Sequence, residues 1–140
     1  MNSTEEQDGL IVLSKYRYKG SVDRIGTGYA SIDYLLGGLG ETGLTVVTGK
    51  RGSGKSTWTG QLALNLMESG RNPCFYSGEL SAHMFQNWIY SQACGSQHVT
   101  ITQDKFGNES YVVDEYNRSR IEAWLANRFT LYDNSKLFRN

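Results

Sequence analysis

Apolar residues change their period several times along the chain, and each change predicts an element. Ser31-Ile32-Asp33-Tyr34-Leu35-Leu36 puts Ile32, Leu35 and Leu36 on one helical face, with Ser31 as an N-cap and Gly37-Gly38 as a stop. Glu41-Thr42-Gly43 then turns into Leu44-Thr45-Val46-Val47-Thr48, a β-branched run suited to a buried strand. From Thr57 to Met67 the spacing becomes helical. Leu62, Ala63, Leu66 and Met67 make the predicted inward stripe, and Ser69-Gly70 ends the helix. Pro73-Cys74-Phe75-Tyr76-Ser77 predicts a second strand, so that strand, helix and strand form a right-handed βαβ unit. Ser81 caps a further helix running to about Ala93, with Met84, Phe85, Trp88 and Ile89 as its apolar face. Val99 to Thr102 and Tyr111 to Val113 flank Phe106-Gly107-Asn108 in the manner of a hairpin. Asn117 to Asn127 reads as a helix with Ile121, Trp124 and Leu125 inward. Phe129 to Tyr132 reads as a buried strand with Asp133-Asn134 at its end.

Ahead of these elements the pattern is weaker. Met1 to Gly9 is a polar, acidic leader, and Leu10 to Leu13 is an edge strand or a packed arm. Between Lys15 and Arg24, Tyr16 and Tyr18 interleave with bases, which suits either stacking on nucleic acid or, as the favoured reading, an amphipathic linker. The expected organisation is a leader or linker over residues 1–20 and one partial domain over 21–140.

Composition adds constraints. The 140 residues amount to one domain or less. The formal net charge of zero gives no overall field toward nucleic acid or an anionic membrane, although a local patch stays open. Cys74 and Cys94 have no metal or redox spacing and are expected as buried free thiols of a reducing compartment. No apolar run is long enough to span a membrane and no signal peptide is present, so the expectation is a soluble, cytoplasmic protein without a membrane partner. His83 and His98 lack metal spacing and are expected at the surface or in turns, whereas Trp88 and Trp124 are expected in the core.

Chemistry concentrates in Gly49-Lys50-Arg51-Gly52-Ser53-Gly54-Lys55-Ser56, which reads G-x-x-x-x-G-K-[ST] between a predicted strand and a predicted helix. Glycines let the backbone wrap closely around phosphates, and successive N–H groups and the positive helix N-terminus face the anion. Gly49 through Thr57 are therefore the candidate ATP-binding residues. Lys55 reaches the β- and γ-phosphates and serves catalysis, and the Ser56 hydroxyl ligates Mg²⁺. Thr57 either donates to the α-phosphate or does not take part. Lys50 and Arg51 either add positive potential or form a solvated loop tip. Glu79 follows the second strand in Tyr76-Ser77-Gly78-Glu79-Leu80. Its position suits a carboxylate that orients the attacking water, and equally one that favours the dipole of the helix capped by Ser81.

A resemblance bears on these alternatives. Arg24-Ile25-Gly26-Thr27-Gly28, Leu35-Leu36-Gly37-Gly38-Leu39, Gly43 to Gly49 and Gly54-Lys55-Ser56-Thr57 resemble the RecA-like ATPases. Phe75-Tyr76-Ser77-Gly78-Glu79-Leu80-Ser81 resembles, more narrowly, the C-terminal motor domain of DnaB-type replicative helicases and related primase-helicases. In that family an aromatic-Ser-x-Glu-apolar stretch carries the catalytic glutamate, a role that the resemblance gives to Glu79. Phe129 to Asn134 is similar to the strand that the family places before its Walker B strand, so the resemblance spans about residues 20 to 134.

The resemblance implies an α/β fold of the RecA-like P-loop NTPase type, three-layered with a mostly parallel sheet and stopping before the Walker B strand. It implies ATP and Mg²⁺ as cofactors and, in the complete protein, single-stranded DNA and a homo-hexameric ring that couples hydrolysis to unwinding in DNA replication. Departures are plain: no later apolar strand ends in Asp, and the family's DNA-binding loops and arginine finger are missing. Asp133 is the sole strand-end carboxylate, on the preceding strand. RecA-like sheets also set a later strand beside the phosphate-loop strand, whose apolar edge is expected to lack a neighbour here. Hydrolysis by these residues alone is not expected. The alternatives are a non-hydrolysing or truncated nucleotide-binding module that pairs with a separate chain, and a RecA recombinase-like or KaiC-like ATPase. A small-molecule kinase fits the Tyr-Ser-Gly-Glu-Leu stretch less well.

Overall fold

The computed structural model describes residues 12–15 and 23–132. The predicted acidic leader, Leu10 and Ile11, the aromatic and basic residues 16–22, and Asp133-Asn134 lie outside the described residues. Val12 and Leu13 form no strand; Leu13–Lys15 is one exposed 3-10 turn.

The architecture is mixed helix and strand with one small parallel sheet. In chain order the elements are β1 (Arg24–Ile25), α1 (Ala30–Leu36), β2 (Leu39–Gly40), α2 (Lys55–Glu68), β3 (Cys74–Phe75), α3 (Ala82–Cys94), β4 (Val99–Gln103), β5 (Glu109–Val113), α4 (Glu115–Leu125) and β6 (Thr130–Leu131). Strands β3 and β6 pair in parallel with Cys74 opposite Thr130 and Phe75 opposite Leu131. Two further two-stranded sheets, β1–β2 and β4–β5, are antiparallel. Among the described residues the parallel component is thus one pair, not the mostly parallel sheet expected.

The βαβ unit predicted around α2 does not form, because Leu44 to Thr48 is not a strand. The run is open to solvent, with Leu44 90% and Val46 71% exposed. Its β-branched composition favours a strand, but a strand needs a neighbour to satisfy its backbone, and none is supplied among the described residues.

The core sits where α3 crosses β3 and β6. Leu64, Phe85 and Ile89 form its centre, and Phe75, Leu80, Ala93, Leu125, Phe129 and Leu131 pack around them. Phe85 bridges β3 and the residue before β6, with its ring centroid 4.7 Å from that of Phe75 and 6.2 Å from that of Phe129. On α2 the buried positions are Gly60, Ala63, Leu64 and Met67, so Leu64 replaces the predicted Leu62 and Leu66. Gly60 sets that face. A Cβ there would meet Gln92 Oε1 at 2.5 Å and Ile89 Cδ1 at 3.4 Å, so α3 approaches α2 along the glycine.

Helix α3 is turned similarly from its predicted face. Phe85, Ile89 and Tyr90 are buried, whereas Met84 is exposed and Trp88 half-buried. Tyr90 is drawn toward α4, its hydroxyl accepting from Gln86 Nε2 at 3.0 Å and lying 3.5 Å from Glu122 Oε1. Helix α4 begins before the predicted Asn117, because Asp114 caps it by accepting the Asn117 N–H at 2.9 Å. Its Ile121 is buried, while Trp124 stays exposed. The predicted hairpin forms, with Ile101 opposite Tyr111. The turn is fixed by Asp104, whose Oδ1 accepts the N–H groups of Phe106 and Asn108.

The N-terminal part is fastened to α2 through Thr27, which is fully buried. The Thr27 N–H donates to Asp33 Oδ1 at 2.8 Å, and the Thr27 carbonyl accepts from Asn65 Nδ2 at 2.9 Å. Helix α1 ends as predicted at Gly37, in the left-handed conformation, but Tyr29 rather than Ser31 occupies the N-cap and gives no side-chain bond. Leu35 and Leu36 are exposed rather than packed, since nothing among the described residues covers that face. Neither cysteine is buried: Cys74 is exposed and Cys94 half-buried. In β3 it is Phe75 that packs on the core, while Cys74 stays exposed. No helix among the described residues is long and apolar enough to cross a membrane.

Candidate nucleotide site

The loop before α2 folds as a turn whose open side is lined by backbone. Ser53 N–H donates to the Lys50 carbonyl at 3.2 Å, and Gly52 and Gly54 take φ of +75° and +82°. Residues with a Cβ rarely adopt those angles, and the space beside both glycines is empty to 4 Å. Gly54 is also the N-cap of α2 and has no side chain to accept the first N–H groups. No acidic residue occupies the first turn. The donors that a Ser or Asp cap would consume therefore stay available to an external anion.

Lys55 folds back over this turn, its Nζ donating to the carbonyls of Gly49 at 3.0 Å and Lys50 at 2.9 Å. An ammonium held by two exposed neutral carbonyls exchanges them readily for a phosphate, which offers charge-assisted bonds. Lys50, Arg51 and Ser53 are exposed around the loop. Ser56 and Thr57 follow on the first turn of α2, both exposed.

Glu79 enters the site from the other side. Strand β3 stops at Phe75, and the chain bends through Ser77 to Leu80, where the Leu80 N–H donates to Ser77 Oγ at 3.0 Å. Helix α3 starts only at Ala82, with the Ser81 hydroxyl accepting the Met84 N–H. Glu79 accordingly stands outside the first turn of α3, and its side chain is exposed. A cleft of ≈560 Å³ runs between α2 and this bend, and Ser56, Thr59, Cys74, Tyr76, Glu79 and Trp88 are among its lining residues. The predicted metal-binding hydroxyl and the predicted catalytic carboxylate thus share one cavity.

Gln92 was not legible as part of this arrangement. From α3 its Nε2 donates to the Thr57 carbonyl at 2.9 Å, tying the first turn of α2 to the helix that follows Glu79. Its Oε1 is buried beside Gly60, without a hydrogen-bond partner among the described residues. The one local signal was a glycine in the middle of a helical pattern.

Compared with protein-family models, with curated proteins and with solved structures, the chain gives no match.

Proposed function

We propose that the chain is the nucleotide-binding module of a RecA-like ATPase of the DnaB helicase type, taking ATP with Mg²⁺ at Gly49 to Thr57. The observation that carries the reading is the cleft shared by Ser56 and Glu79, opening beside the start of α2, which no side chain caps. The parallel β3–β6 pair supports it, since Glu79 lies just past the C-terminal end of β3, where open α/β sheets collect ligands.

The residues divide the work by position. Loop amides of Gly52 to Ser56 cradle the phosphates, and Lys55 leaves its own loop carbonyls for the β- and γ-phosphate oxygens. The Ser56 hydroxyl would hold Mg²⁺, and the metal would supply neutralisation of charge on the transferred group. Glu79 accepts a hydrogen bond from the attacking water and orients it. In the complete protein this site belongs to a hexameric ring that moves on single-stranded DNA.

Titration of the purified chain with a fluorescent ATP analogue and Mg²⁺ tests the reading. Lys55→Ala is expected to raise Kd by about 10- to 100-fold, the worth of a charge-assisted contact. Glu79→Gln is expected to bind as the wild type does. Equal binding by the Lys55→Ala chain, or no binding by either protein, would sink the proposal. A second reading, a module that binds nucleotide without turnover, is favoured by the unpaired Leu44 to Thr48 run beside the loop. Phosphate release separates the two. Binding with release that Glu79→Gln abolishes supports the ATPase, and binding without release supports the second reading.

A further inference from the structure

Tyr29 and Trp58 form an aromatic pair beside the start of α2, with ring centroids 6.1 Å apart and planes 26° from parallel. Both are half-buried, so part of the pair stays open to solvent. Tyr29 is held there from two sides. Its N–H donates to Thr27 Oγ1 at 3.2 Å, and the Thr27 carbonyl accepts from Asn65, which lies about two turns along α2 from Trp58 on the same face. Gly28, at φ +81°, permits that approach, since a Cβ there would meet Asn65 Nδ2 at 2.5 Å.

We propose that this pair is the platform on which the base of the bound nucleotide stacks, with purines preferred to pyrimidines. The platform depends on the triphosphate lying at Gly49 to Thr57, as in the nucleotide reading, and the helix geometry then gives its place. Ser56 faces the Glu79 cleft together with Thr59 and Gly60. Residues step by about 100° around a helix, so Trp58 stands roughly 200° from Ser56, on the side of α2 away from that cleft. Helical side chains lean toward the N-terminus, which carries the Trp58 indole over the turn that begins at Gly54 and Lys55. A triphosphate laid across this end of α2, with its γ-phosphate toward Glu79, turns its α-phosphate and nucleoside to the opposite side. Tyr29 and Trp58 are the aromatic surface found there. Stacking needs only a flat π-face, and the larger purine ring system covers more of the pair than a pyrimidine does.

Calorimetric titration of the full chain in Mg²⁺ with ATP, UTP and inorganic tripolyphosphate separates the base from the phosphates. The wild type is expected to bind ATP at least about tenfold more tightly than tripolyphosphate, with UTP between them. Trp58→Leu keeps an apolar neighbour for Tyr29 but removes the ring. It is expected to bring ATP to within about threefold of tripolyphosphate, whose own affinity stays near the wild-type value. Tyr29→Leu is expected to narrow the gap in part. Equal binding of ATP and tripolyphosphate by the wild type overturns the platform while leaving the phosphate site in place. So does an ATP advantage that survives both substitutions. Should Trp58→Leu lose both ligands alike, Tyr29→Leu decides, and an unchanged gap in that chain overturns the platform. Failure of the wild type to bind any of the three ligands would instead overturn the nucleotide reading, and the platform with it.

Discussion

Asp33 accepts the Thr27 N–H at 2.8 Å, and this bond, more than any other, holds its carboxyl below the ordinary value of 3.8. A depressed carboxylate stabilises the folded state above its unfolded pKa, and that stabilisation is lost as pH falls through the folded value. Asp33→Asn is therefore expected to be less stable than the wild type at pH 6, with the difference shrinking below about pH 4. Urea melts of both proteins across that range measure it; a gap that widens with acid would contradict the assignment. At this scale Lys55 and Ser56 were legible because the motif is contiguous and its mechanics are local. Gln92 was not, since its bond to Thr57 spans 35 residues and arises from how closely two helices approach.

Among elements, α2 shows what closes a helix end. Met67 and Arg71 leave carbonyls at its C-terminus, and Arg128 reaches them from the turn before β6, with Nη2 2.7 Å from the Met67 oxygen and 3.5 Å from that of Arg71. Its Nε also donates to Asn72 Oδ1 at 3.2 Å. A cation suits that end of the macrodipole, and the planar fork spans acceptors that an ammonium cannot. Arg128→Ala is expected to destabilise by about 1–2 kcal/mol, with Arg128→Lys recovering only part of it, as read by thermal melts. Helix periods and turn residues announced α2, α3, α4 and the hairpin, because each is stabilised largely by its own neighbours. Faces were less legible. The stripe on α2 moved to Leu64 because Gly60 admits α3, a fact about a second element. Leu44 to Thr48 failed as a strand for the complementary reason, that pairing lies in a neighbour and not in the run.

The whole molecule rests on a small core, and Leu64 is only 4% exposed at its centre. Leu64→Ala is expected to cost about 2–4 kcal/mol by lost transfer energy and a residual cavity, which chemical denaturation would show as a lower midpoint with an unchanged slope. A cost below about 1 kcal/mol would place the core elsewhere. The parallel pair at that core also has a consequence in time. Phe75 is made 56 residues before its strand partner Leu131. At ribosomal rates it waits roughly 3–11 s for that partner to appear. Meanwhile α3, the hairpin and α4 can form from local contacts alone. During synthesis the first strand is thus born exposed and is closed over last, so the interval between them is when a chaperone has the most of this core to hold.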